Sequence, residues 1–486
     1  MKIRAPAFAK ATAGKHHDMV LLALGSIFVV LLLAKFLIPL LRFGSVPLGY
    51  DAGIYRYLFI QYQEALSHFT MPDLPDFARE HPLGLFLLST PILSLGVPVD
   101  WLTGWIWNLF VPLVGMLLAW VIGRRCGWKV GVWTLLCVFL SHAFYDGFTA
   151  MYWKTYVALF WMVLTFYFIE QKSWWGVVTG AWTLVSHHQT GLLFVLVLGT
   201  WGLLNIYKKA FSLQLSAFSI CIMGIAFVFV GLLYLPIFQE SVLRHIPTLF
   251  QLWKAPGGSF PEPLFYTRIT GILLLLGAAG FLKSLEKEQW TLWQLAVLWS
   301  GVFVLFRLMF YRRFMLQLDF FLLPFSASFI VFLWERYRSI GGRLSLIVVL
   351  IVQGVLSVQA ALQRLPKVDA ATFSVVRSLP SGLPHDATVI ALEDQSAVLL
   401  RGWLPFHRVG GPGLFELSWS YEEWEKFLLG SPKERRPYFE RLEDPTFFFI
   451  SPYFRSYYSE HAEAFLRDPC LQRTEHPYLI RSVCSK

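Results

Sequence analysis

Residues 19–41 form an apolar run whose only charge is Lys35, and runs of similar character recur along the chain. Roughly 20 apolar residues are enough to cross a bilayer as a helix. Within hydrocarbon each backbone N–H and C=O must be satisfied inside its own segment, so such runs fold as helices. The chain is therefore read as an α-helical polytopic membrane protein. Composition agrees: 56% of the 486 residues are hydrophobic and 15% charged, against about half and a quarter in a soluble domain. The first run is too long for a signal peptide, and no small-residue cleavage site follows it.

Lys and Arg at the ends of the runs orient the map, because cytoplasmic loops carry an excess of them. Residues 1–18 hold Lys2, Arg4, Lys10 and Lys15 and are expected to be a cytoplasmic tail. Residues 19–365 are expected to form a transmembrane domain with spans at 19–41, 103–122, 130–141, 155–169, 175–186, 191–206, 213–236, 269–282, 290–306, 315–333 and 344–362. That is about eleven helices, placed in the cell (plasma or inner) membrane, with external loops at 42–102 and 237–268. In the first loop Ile54, Leu58, Tyr62, Ala65 and Phe69 recur at helical spacing, which predicts a helix lying in the interface. The stretch from His81 onward is broken by Pro82, Pro91 and Pro98 and reads as re-entrant. Residues 366–486 are expected to form a small extracytoplasmic α/β or α+β domain, with strands at 387–392 and 445–450 and a helix at 420–429.

The net charge of +10 is met by the Lys and Arg clusters flanking the spans, so no nucleic-acid partner is expected. Lys35, near the outer end of its span, is expected to snorkel toward the headgroups. Cys126, Cys137 and Cys221 lie in or beside spans without metal-ligand spacing, and Cys470 and Cys484 are open to pairing if the C-terminal end is external.

On this map the unusual polar residues share one side of the membrane. Asp51, Arg56 and His81 come from the first external loop, His142, Asp146 and Lys154 from the second, His187 and His188 from the third, and Arg307, Arg312 and Arg313 from the fifth. Ionisable groups near hydrocarbon are costly and are usually paired or functional; external loops are also where polar residues ordinarily sit. Asp51, between Gly49 and Gly53, is either a reactive carboxylate or the N-cap of the helix that follows. Arg307 and Arg312 are about 140° apart on an ideal helix, so all three arginines share a face only if the helix ends between them.

The order of features resembles the GT-C glycosyltransferases, whose relatives include oligosaccharyltransferase catalytic subunits, protein O-mannosyltransferases and aminoarabinose transferases. The matching stretches are "GYDAGIYRY" after the first span, "HPLG" closing the first loop, "YDG", "SHHQTG", and "RLMFYRRFMLQLDFFLLPF" near the last spans. The resemblance implies an enzyme that moves a sugar from a polyprenyl-phosphate or pyrophosphate carrier to an extracytoplasmic acceptor, with inversion. It implies that Asp51 is the catalytic carboxylate. An acceptor hydroxyl or amide needs a base as the new bond forms, and Arg56 nearby would keep that base ionised. Gly49 and Gly53 would let the backbone approach substrate. Arg307, Arg312, Arg313 and Lys154 would bind the carrier phosphate, since a guanidinium matches phosphate oxygens and stays charged. Arg56, His81, Asp146, His187 and His188 would contact substrate or support those that do. Asp146 stands where relatives carry an acidic metal motif; "YDG" offers a single carboxylate, so Mg²⁺ or Mn²⁺ held by Asp51 and Asp146 is left open. The sequence also admits a flippase or transporter of lipid-linked saccharide, a polysaccharide polymerase or ligase of another membrane fold, and an assembly subunit without catalysis. No phosphate-binding G-x-x-x-x-G-K-[ST] stretch is present, which argues against an ATP-driven pump within this chain.

Overall fold

A computed structural model describes residues 7–79, 81–207, 258–286, 290–337, 339–412 and 419–485, with scattered positions between them. Among the described residues, four helices are long and apolar enough to cross a membrane: Met19–Phe43, Val99–Cys126, Tyr311–Arg336 and Ile340–Gln363. Two bent pairs raise the number to six, Trp128–Leu140 with His142–Thr149 (56°) and Pro263–Ile269 with Gly271–Ser284 (100°). Helices also occupy the predicted spans four to six and nine, at Trp153–Glu170, Trp175–Ser186, His188–Tyr207 and Leu292–Leu305. The count of eleven by length and apolarity is thus not reached among the described residues. The seventh predicted span, 213–236, and the 237–268 loop fall largely outside them.

The bends have visible causes. At the first, Ser141 caps the helix His142–Thr149, accepting from the Phe144 N–H at 3.0 Å, and donates to Asp319 Oδ2 at 2.5 Å. A helix end leaves carbonyls without partners. Lys35 supplies them: its Nζ donates to the Phe139 and Ser141 carbonyls at 2.7 and 3.1 Å and to Ser357 Oγ at 2.7 Å. Lys35 is buried. The snorkelling expectation is therefore wrong, because the broken helix offers the ammonium acceptors inside the bundle. At the second bend Thr270 leaves helical geometry (φ −120°, ψ 21°), and the preceding turn brings Tyr266 against Asp146.

The C-terminal residues build a five-stranded mixed sheet, β1 Thr388–Ala391, β2 Arg408–Gly410, β3 Thr446–Phe449, β4 Leu471–Arg473 and β5 Leu479–Ser482. The order is β2-β1-β3-β5-β4. β1 runs parallel to β2 and β3, and β5 is antiparallel to β3 and β4. The apolar runs predicted as strands are β1 and β3, which are central; their inner residues Val389, Ile390, Phe448 and Phe449 are buried. The predicted helix is present at Tyr421–Leu429, started by a capping box between Ser420 and Glu423. Cys470 and Cys484 are joined in a disulfide.

The helix Ala52–Ser67 is the hinge between these two parts. The expected buried stripe of this interfacial helix is 54–58–62–65–69. Instead its buried face is wider, with Ala52, Gly53, Tyr55, Tyr57, Leu58, Phe59 and Tyr62 all enclosed. Phe69 lies beyond the helix, fully exposed. One flank packs on Phe86 and Trp153, the other on the C-terminal helix Asp394–Trp403. The two helices cross where Gly53 meets Gly402. A Cβ on Gly53 would collide with the Val398 carbonyl, and one on Gly402 would meet the Gly53 backbone. Gly49 sits equally tightly on the backbone of Ala150. These glycines therefore admit protein backbone, which corrects the expectation that they admit substrate.

Candidate active site

Asp51 directly precedes the helix Ala52–Ser67, in a helical backbone conformation, and its side chain makes no capping bond. The N-cap alternative is therefore not what the carboxylate does. One turn on stands Tyr55, whose phenol feels the Asp51 charge. Burial, and then the charge of Asp51, hold the Tyr55 phenol well above its ordinary range, so it stays a proton donor. Tyr55 is itself fixed by stacking on Trp153, with ring centroids 5.1 Å apart. Sequence reasoning passed over Tyr55, although its place four residues after Asp51 puts it on the same face of the helix.

Lys154 begins the helix Trp153–Glu170. Its Nζ lies 5.2 Å from the Tyr55 ring centroid and donates to His81 Nδ1 at 2.6 Å. Burial first, then the positive charges of Lys154, His188 and Arg313, push His81 well below its ordinary pKa. It is accordingly neutral, which leaves Nδ1 able to accept. His187 is held in extended conformation between two helices. Its Nδ1 meets Thr190 Oγ1 at 3.0 Å and its Nε2 meets Thr155 Oγ1 at 3.4 Å. The His188 ring packs against Tyr234, centroids 5.6 Å apart.

These side chains border one cavity of about 530 Å³. His81, Lys154, His187, His188, Gln189 and Arg313 supply its polar wall, and Leu184, Leu192, Val195, Phe227 and Val230 its apolar wall. Neither Asp51 nor Tyr55 lines it; the lining residue Lys154 is the one whose Nζ lies 5.2 Å from the Tyr55 ring centroid. Asp51 and Arg313 both act on the Tyr55 phenol, with opposite sign.

The three predicted arginines separate. The helix Leu292–Leu305 ends and the next begins at Tyr311, with Arg307 and Phe310 at positive φ in the turn between. Arg313 reaches the cavity, where it also donates to Ser259 Oγ at 3.1 Å. Arg312 pairs with Glu262 at 2.5 Å. Arg307 is exposed, its guanidinium 5.6 Å from the Tyr311 ring centroid. Arg56 points away from the cavity residues: it bonds Asp100 Oδ1 at 2.8 Å and the Gly402 carbonyl at 2.6 Å. That ties the helix Ala52–Ser67 to the C-terminal helix and to the start of the span Val99–Cys126.

Asp146 lies deep in the bundle. Arg364 pairs with Oδ1 at 2.8 Å, Tyr266 donates to Oδ2 at 2.8 Å, and His142 Nε2 stands 3.4 Å from Oδ2. Oδ2 thus accepts from Tyr266, while Oδ1 has the Arg364 charge beside it. Among the described residues no group of three His, Cys, Asp or Glu side chains converges as a cation site. Asp51 and Asp146 belong to no such group among the described residues.

The fold is that of the GT-C glycosyltransferases. An oligosaccharyltransferase from Archaeoglobus fulgidus, solved in complex with Zn and sulfate, superposes with a TM-score of 0.55 at 12% identity, over 91% of this chain and 69% of that one. ArnT from Cupriavidus metallidurans bound to undecaprenyl phosphate gives 0.54 at 13% identity, over 95% and 98% of the two chains. The oligosaccharyltransferase AglB from Archaeoglobus fulgidus, in complex with an inhibitory peptide and a dolichol-phosphate, gives 0.52 at 10%, over 89% and 70%. At such identities the likeness is one of fold. No family model and no curated protein sequence matches the chain.

Proposed function

We propose that this protein is a membrane glycosyltransferase that takes a sugar from a polyprenyl-phosphate or pyrophosphate carrier on the extracytoplasmic side and transfers it, with inversion, to an acceptor there. The observation that carries this reading is the cavity bordered by Lys154 and Arg313. It joins two cations, Lys154 and Arg313, to a wall of aliphatic and aromatic side chains, the pairing that a phosphate head on a prenyl tail requires. That two proteins of the same fold were solved with undecaprenyl phosphate and dolichol-phosphate adds support.

In this mechanism the Asp51 carboxylate accepts the proton of the acceptor hydroxyl or amide as its lone pair bonds to the anomeric carbon. The bond from that carbon to the phosphate oxygen breaks, and the carrier phosphate leaves with the electron pair. Arg313 and Lys154 stabilise the charge that grows on it. Tyr55, a phenol kept protonated one turn on from Asp51, is placed to steady the carboxylate. Arg312, Arg307 and Arg56 act at the margin: Arg312 orders Glu262, Arg56 fixes the helix behind Asp51, and Arg307 is free to meet headgroup phosphates.

The test is an in vitro transfer assay on the detergent-solubilised protein, using a panel of polyprenyl-phosphate sugars with a broad acceptor mixture. One donor is expected to release its sugar to an acceptor, at equal rates with and without EDTA, because the cations that face the leaving group are side chains. Full loss of transfer in EDTA would reassign the charge stabilisation to a metal; no transfer with any donor would count against the function.

A further inference from the structure

Gln189 stands between His188 and Thr190 in the first turn of the helix His188–Tyr207, and it borders the cavity. Only 4% of it is exposed. Neither its amide nitrogen nor its amide oxygen has a hydrogen-bond partner among the described residues. A buried polar group left unpaired is destabilising, and a side-chain amide carries both a donor and an acceptor. Such a group needs an explanation, and a cavity at its side suggests one.

The neighbouring polar groups narrow the ligand. Lys154 and Arg313 only donate, and both His187 nitrogens already meet threonine hydroxyls. A phosphate at neutral pH accepts and donates little, so it would leave the Gln189 oxygen unpaired. A sugar hydroxyl donates and accepts at once and satisfies both ends of the amide. We propose that Gln189 is a specificity-determining residue that binds a hydroxyl of the carrier-linked sugar, while Lys154 and Arg313 hold the phosphate; this rests on the glycosyltransferase reading above. A site built to hydrogen-bond a hydroxyl discriminates strongly against the analogue that lacks it.

The experiment uses the full chain with Gln189→Leu and Gln189→Met. Three quantities are measured: the unliganded thermal midpoint, affinity for undecaprenyl phosphate, and affinity for undecaprenyl-phosphoryl glucose, mannose and galactose with their monodeoxy analogues. The midpoint is expected to hold or rise, since an unpaired amide is replaced by an apolar group. Binding of the sugar-free phosphate is expected to stay unchanged. Affinity for the preferred sugar conjugate is expected to fall about tenfold, and one deoxy analogue to bind wild type and variant alike. A lowered midpoint in both variants would give Gln189 a structural role and overturn the proposal. So would equal weakening of sugar-free and sugar-bearing carriers, which would make the amide a phosphate contact. Sugar conjugates that bind wild type and variants identically would overturn it too, without touching the carrier reading. Wild type that binds neither carrier form would overturn both.

Discussion

Asp51 and Arg313 lie far apart in sequence, yet both act on one tyrosine. The polar residues around them differ in how closely they approach the cavity, and that orders the expected effects. Arg313→Ala should weaken binding of undecaprenyl phosphate about tenfold or more, because a charge-assisted bond is lost. Arg307→Ala, at an exposed position, should change it less than twofold. Isothermal titration or scintillation proximity on the two variants checks the order, and equal effects would contradict it. His81 gives a pH signature. Its pKa in the folded protein lies below the unfolded value of about 6.5, so its contribution to stability is complete above that pH and is lost as pH falls. The thermal midpoint should therefore drop between about pH 6.5 and pH 5, and His81→Gln should flatten the drop. A wild-type midpoint level across that range would contradict the buried neutral histidine. At this scale the sequence showed which residue types are unusual, but not which reach the cavity. Arg312 and Arg313 are neighbours in the chain, and only packing sends one to Glu262 and the other to the cavity wall.

Single elements show the same division between local and distant causes. Helices and the two central strands were legible because each is set by a local period. The role of the helix Ala52–Ser67 was not, because its outer face is covered by a helix that begins at Asp394. Arg56 bonds the Gly402 carbonyl, and Gly53 and Gly402 bring the backbones together. No spacing rule pairs glycines so distant along the chain. Lys35 was misjudged for a related reason: its acceptors exist only because another helix breaks at Ser141. The crossing has a measurable consequence. Gly53→Val should destabilise the protein by about 3 kcal/mol, since backbone on backbone leaves no room to repack. Gly199→Ala, where an added methyl meets nothing within 4 Å, should be neutral or slightly stabilising in the same thermal unfolding assay. Equal midpoints for the two variants would remove the crossing as the link between the two parts of the chain.

Taken as one molecule, the protein sets Lys154, Arg313 and an apolar wall around one cavity in its helix bundle. The C-terminal sheet and its helices are packed against the segment that carries Asp51, so movement of one part is felt by the other. The central claim is that Asp51 acts on the transferred sugar's acceptor and not on the carrier. Asp51→Asn keeps size and hydrogen bonding while removing the base. Transfer and undecaprenyl-phosphate binding measured side by side on this variant test the claim most directly: transfer should fall by at least about a hundredfold while carrier affinity stays within twofold of wild type. Asp51→Asn that transfers sugar at the wild-type rate would contradict the account, and would leave a carrier-binding or carrier-moving protein in its place.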